Sequence, residues 1–191
     1  MLGIITYAVV TVLFFGSNIC GLTSLLLPKW LVFESPRPYR TITNYGLFKK
    51  CSSLNEEGCR AFPLDEYGDC DEEFFCQEWN AASVDMILAS IVGGVTLFYL
   101  IYVLFGETTQ REDAWKYITG SIVLMSLLQI STISMIAHLY DKSDRFYYGV
   151  KFDVSFMIAS GSAAFNFMLA CIIFIVGYKS SNVYEPIEPL E

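Results

Sequence analysis

Residues 65 to 76, "DEYGDCDEEFFC", hold six carboxylates. Oxygens at that density suit a hard cation such as calcium, but their spacing is not that of an EF-hand loop. Mutual repulsion should keep the segment hydrated, with Phe74 and Phe75 turned inward. A second set, Asp85, His138 and Asp153, joins two acids to the only histidine in the chain. A histidine beside carboxylates can sense pH or bind an ion. An acid inside an apolar run is costly and marks a candidate site. Against that, Asp85 and Asp153 are expected in first helical turns, where a carboxylate favours the helix dipole, and all three lie close enough to helix ends to be hydrated. Four cysteines, Cys51, Cys59, Cys70 and Cys76, complete the reactive inventory. They suit disulfides better than zinc, because no Cys-x-x-Cys and no nearby histidine accompanies them. Four cysteines allow three pairings, of which the local one, 51 with 59 and 70 with 76, is the simplest.

Enzyme chemistry finds no support. The sequence has no Gly-rich phosphate loop, no Gly-x-Ser-x-Gly elbow and no cluster with metal-ligand spacing. It calls for no cofactor and no metal, and the expected protein is not an enzyme. A net charge of −8 without a basic patch argues against nucleic acid as a partner. Asn-x-Ser/Thr does not occur, so N-glycosylation is not expected.

The elements that carry these residues are apolar. The 191-residue chain is 54% hydrophobic with a mean hydropathy of +0.46, which puts membrane spans first. Four stretches are long enough to cross about 30 Å of hydrocarbon at roughly 1.5 Å per residue. They run from about Ile4 to Leu26, Ala81 to Phe105, Tyr117 to Tyr140 and Val154 to Tyr178. The first lacks a basic leader and a small-residue cleavage site, and reads as a retained span. The expectation is therefore one integral membrane domain over 1–191, with membrane lipids and other integral membrane proteins as its partners. A loop over 29–80 and a tail over 179–191 lie outside the bilayer, with short links at 106–116 and 141–153.

Orientation follows from the cysteines. The long loop and the second short loop hold nine of the twelve Lys and Arg residues, against the positive-inside rule, but also most of the acids. Disulfides form in oxidising compartments, which places 29–80 outside and both termini in the cytosol. Cys20 and Cys171 lie inside spans and should stay reduced. The loop's "RTITNYGLFKKC" is rich in β-branched and aromatic residues in loose alternation and reads as a strand. The Asn-Glu-Glu-Gly before Cys59 is then its return turn. A 51–59 bridge would staple two neighbouring strands into a small sheet seated on the helix ends.

Within the bilayer, Asn18, Gln129 and Asn166 fall at similar depth in three spans and can hydrogen-bond between helices. Small residues at four-residue spacing, Ser17 with Gly21, Ala89 with Gly93, and Ser155, Ala159 and Ala163, support close helix packing without saying whether it is internal or between subunits. Trp30 follows Pro28 at the membrane exit, where an indole anchors at the interface. Gly46 should permit a bulge or a close backbone approach. In the tail, Tyr184 and Ile187 form a weak Tyr-x-x-apolar pattern of the endocytic sorting kind.

One constellation is specific. Trp30, then Gly46-Leu47-Phe48, then Cys51 and Cys59, resembles the signature of the claudin superfamily, which has a tryptophan after the first span, a Gly-Leu-Trp and two cysteines. Phe48 stands where that family has tryptophan, and the cysteine gap is slightly short. The Cys70 to Cys76 segment departs from epithelial claudins and is closer to the fungal claudin-like branch, the eisosome and PalI-type proteins. The resemblance implies an all-α transmembrane four-helix bundle capped by a small exterior antiparallel β-sheet, with Trp30 as a wedge between the two. It also implies a plasma-membrane location reached through the secretory pathway. The expected function is organisation of a membrane domain or cell-surface contact by lateral protein–protein association. The alternative is an auxiliary subunit of an ion channel, a transporter or a cell-wall synthase. Ion conduction by the chain itself would need a polar path between protomers that the sequence does not display.

Overall fold

The computed structural model describes residues 3–36, 41–53, 58–106, 108–146 and 149–182; Tyr184 and Ile187 lie outside them, as do residues 54–57 of the expected return turn. Four helices, α1 (Ile4–Leu26), α2 (Phe75–Phe105), α3 (Thr108–Lys142) and α4 (Val154–Asn182), are joined by five short strands. All four helices are long and apolar enough to cross a membrane, so the chain is a four-span integral membrane protein. Each packs on two neighbours in the order α1, α2, α3, α4 around the bundle.

The helix ends depart from the charge-free stretches for identifiable reasons. α1 stops at Leu26 because Leu27 must be extended before Pro28. α2 begins at Phe75, ahead of the expected Ala81, because Phe75, Trp79, Ala82 and Met86 keep a helical period and bury one face despite the polar residues between them. The link expected at 106–116 is mostly the first turns of α3, which starts at Thr108.

The strands β1 (Leu31–Glu34), β2 (Ile42–Tyr45), β3 (Lys49–Ser52), β4 (Cys59–Ala61) and β5 (Val150–Phe152) form one antiparallel sheet in the order β4-β3-β2-β1-β5. Two expectations are corrected here. The stretch read as one strand is two, β2 and β3, folded back at Gly46-Leu47-Phe48, where the Gly46 N–H donates to the Lys49 carbonyl at 2.8 Å. The second short loop, expected only as a link over 141–153, supplies the edge strand β5 beside β1.

Two apolar clusters fill the interior. The one at the sheet end gathers Trp30, Leu31, Tyr45, Leu47, Phe62, Phe75, Trp79 and Phe146. The other, towards the termini, gathers Tyr7, Phe14, Leu100, Trp115, Ile118 and Ile122. The small residues Ser17, Gly21, Ala89, Gly93, Ser155, Ala159 and Ala163 are all buried within this single chain, so their close packing is internal.

Candidate functional site

The sheet is held to the bundle by the residues around Pro28. Trp30 is 0% exposed, so its indole does not face lipid as an interfacial anchor. It is a wedge: Nε1 donates to the Ser24 carbonyl at 2.8 Å and the ring meets Phe156 of α4 edge-on. Its backbone N–H donates to Tyr45, and its carbonyl accepts from Asp153, so one residue ties α1, the sheet and the start of α4. Gly46 sits in the turn, not in a bulge. A Cβ there would run into the Pro28 Cα, so only glycine lets the turn approach the end of α1. Leu47 is buried, and its carbonyl accepts from Trp79 Nε1 at 3.1 Å and Ser83 Oγ at 3.2 Å, which seats the turn on α2. Phe48, the next residue, is partly exposed.

Both local disulfides are present, 51–59 and 70–76. Cys51 and Cys59 are direct partners in the β3–β4 ladder, so the bond fastens the edge strand β4 to the sheet. Cys51→Ser is expected to cost about 2–4 kcal/mol. The loss should appear as a lower unfolding temperature in detergent and as reduced surface delivery; an unchanged non-reducing gel shift would contradict the bond.

The acidic segment is divided in a way its composition hides. Asp69 is not hydrated: it is 1% exposed and receives Arg60 Nη1 at 2.6 Å, Arg60 Nη2 at 2.9 Å, Arg145 Nη1 at 3.0 Å and the Leu64 N–H at 3.1 Å. Burial pushes its carboxyl up, but the Arg60 and Leu64 hydrogen bonds, with the Arg60 and Lys50 charges, outweigh it and hold the carboxyl below the usual carboxylate range. The same Asp69 bond raises Arg60. Arg145 Nη2 also donates to the Gly68 carbonyl, and its guanidinium lies 5.2 Å from the Phe75 ring centre. This clamp joins β4, the acidic loop and the α3–β5 connection. Glu72 adds a second tie by accepting from Ser143 Oγ. Asp65, Glu66, Asp71 and Glu73 are exposed. Phe75 turns inward as expected, but Phe74 is 58% exposed, because its left-handed backbone (φ +66°) at the start of α2 sends the two phenylalanines in different directions.

Asp85, His138 and Asp153 do not form one site. Asp85 lies in the third turn of α2, ten residues beyond Phe75, which corrects its placement in a first turn. His138 Nδ1 instead pairs with Glu78 Oε2 at 3.0 Å. Asp153 precedes α4 and accepts the Val154 N–H at 2.7 Å through Oδ1. Among the described residues, no group of His, Cys, Asp and Glu could hold a metal ion.

Two of the three polar residues inside the spans meet. Asn166 Nδ2 donates to Gln129 Oε1 at 3.3 Å, and Asn18 packs on Gly93 of α2. On the lipid-facing side of α1 and α4 lies a groove of about 410 Å³, lined by Val12, Gly16, Cys20, Ile158, Gly161 and Phe165. Ser17 and Ser162 line it too, with their hydroxyls 3.0 Å apart. Among the described residues, and apart from each glycine's own stretch of helix, no atom lies within 4 Å of where a side chain on Gly16 or Gly161 would begin.

Sequence reasoning missed Arg60, Asp69, Arg145 and Trp79. Trp79 had a signal, the four-residue step from Phe75; the clamp had none, because Asp69 and Arg145 stand 76 positions apart.

The four-helix bundle with its small sheet is compatible with a claudin-like fold. No family model matches the chain, and no curated protein matches it.

Proposed function

We propose that the chain is a non-enzymatic, claudin-like membrane protein, of the fungal claudin-like kind, that organises a plasma-membrane domain or cell-surface contact by associating laterally with other integral membrane proteins. Its sheet faces the exterior and its termini the cytosol, in keeping with two disulfides at the sheet end. The observation that carries the reading is the α1–α4 groove. Gly16 and Gly161 are the small residues a neighbouring helix needs for close approach, and their open faces are not consumed by packing among the described residues. The same groove serves the alternative, an auxiliary subunit seated on a channel, transporter or cell-wall synthase.

Gly16→Leu with Gly161→Leu fills the groove from two positions where an added Cβ meets no described atom within 4 Å outside its own stretch of helix. The double variant should keep its unfolding temperature and lose lateral association, measured as energy transfer between labelled copies in bilayers at fixed protein-to-lipid ratio. Unchanged transfer would remove the groove from the account. Lost transfer among copies, with a larger protein still bound, would favour the auxiliary subunit.

A further inference from the structure

The two apolar clusters do not merge. Between them, at mid-bundle, lies a polar layer containing Ser17 and Asn18 of α1, Ser126 and Gln129 of α3, and Ser162 and Asn166 of α4. Asn18, Gln129 and Asn166 are 6%, 1% and 0% exposed. Asn166 Nδ2 reaches Gln129 Oε1 at 3.3 Å and Ser162 Oγ at 3.5 Å. Three of their polar atoms remain buried with no partner: Asn18 Nδ2, Gln129 Nε2 and Asn166 Oδ1. Exchanging oxygen and nitrogen on Gln129 and Asn166 together reverses their mutual bond and still leaves one atom of each unpaired.

Met125 touches Asn166 and shares a glycine neighbour with each of the other two amides. Met125 Sδ lies 4.0 Å from Asn166 Nδ2. It also lies 3.0 Å from the Cβ position of Gly93, the same point Asn18 Nδ2 approaches at 3.0 Å. Gln129 Nε2 is 3.2 Å from the Cβ position of Gly21, with Met125 Cε and Ser162 Oγ each 4.0 Å from it. In hydrocarbon, bulk solvent cannot satisfy such atoms.

We propose that this layer binds water inside the bundle. The chemistry of the orphaned set selects it. Two N–H donors and one carbonyl acceptor match a molecule that accepts two hydrogen bonds and donates up to two. As oriented, two of the three unpaired groups present N–H hydrogens and only one presents oxygen, a set that suits water better than a cation. An anion finds no positive side chain in the layer.

The test is water-edited solid-state NMR on the full chain in lipid bilayers, with ¹⁵N-labelled Asn, Gln and Ile. Side-chain amide signals would be assigned by their disappearance in Asn18→Leu and Gln129→Leu. The Asn18 and Gln129 amide signals should build up from water several-fold faster than the backbone amides of Ile118 and Ile122, which lie in the dry cluster. Asn166→Leu removes the acceptor and should abolish the fast build-up at Gln129. Equally slow build-up at the amides and at Ile118 and Ile122 overturns the proposal, since the amides would then pair dry. Equally fast build-up at all of them overturns it too, since the hydration would not be specific to the layer. The wild-type comparison decides even if Asn166→Leu fails to fold, and Asn18→Ser and Gln129→Ser supply the assignments if the leucine variants do not fold.

Discussion

Asp69→Asn is expected to destabilise the sheet end by about 3–5 kcal/mol, because it removes the carboxylate that both guanidiniums bind and leaves partly buried positive charge uncompensated. Arg60 and Arg145 both hydrogen-bond Asp69, and their side chains are 16% and 21% exposed, so solvent cannot take over from the lost partner fully. The change keeps the shape of the side chain and alters its charge. Asp65→Asn, four residues earlier on the exposed side of the same loop, is the matched control and should stay within about 0.5 kcal/mol. Unfolding in mild detergent, followed by exchange of the Leu64 and Gly68 backbone amides, measures both. Equal stability of the two variants would contradict the clamp.

The clamp also sets a pH dependence. A carboxyl depressed in the folded state contributes stability that is fully present above its unfolded value, about 3.9. That stability is lost as the pH falls further, through the lower folded value, when Asp69 takes up a proton and the Arg60 bonds weaken. The sheet end should therefore loosen below about pH 4 in the wild type. The Asp69→Asn variant should lack that component of the transition.

Trp30→Ala is the second large effect, expected to cost about 3–5 kcal/mol. Trp30 has no exposed surface, donates to Ser24, and packs on Phe156. Truncation leaves a cavity where α1, the sheet and α4 meet, and leaves the Ser24 carbonyl without its indole donor. Trp30→Phe restores most of the volume but not the N–H, so it should recover the larger part of the loss. If Trp30→Phe were no better than Trp30→Ala, the hydrogen bond and not the packing would be the main contribution. If Trp30→Ala cost nothing, the wedge would be wrong.

Fold and site were legible in the sequence to different depths. The four spans show because uninterrupted apolar runs have few other physical meanings, and the disulfide framework shows because the four loop cysteines are close in sequence. The start of α2 was obscured because its first turns stand above the apolar stretch, where Gln77 and Glu78 interrupt hydropathy while Phe75 and Trp79 keep the helical period. The division of β2 from β3 was obscured because Gly46 reads as strand-compatible until Pro28 is placed against it. Composition made the acidic segment look uniformly solvated, since the arginines that bury Asp69 come from β4 and from beyond the end of α3. Likewise Asn18, Gln129 and Asn166 could be placed at one depth from sequence, but only their packing between the helices reveals which of their atoms lack partners.

The reading of this chain as a lateral organiser rests on what touches its lipid-facing groove in a native membrane. Cys20 lies on that groove and is exposed, which gives a native thiol for a bifunctional cross-linker, with the exposed Cys171 on α4 as the comparison. The direct measurement is cross-linking in native membranes, followed by mild-detergent purification and mass spectrometry of the linked products. The account predicts that Cys20 links to further copies of this chain and to components of the same membrane domain, in variable proportion. A single larger membrane protein at fixed stoichiometry, or no product beyond the monomer, would contradict it.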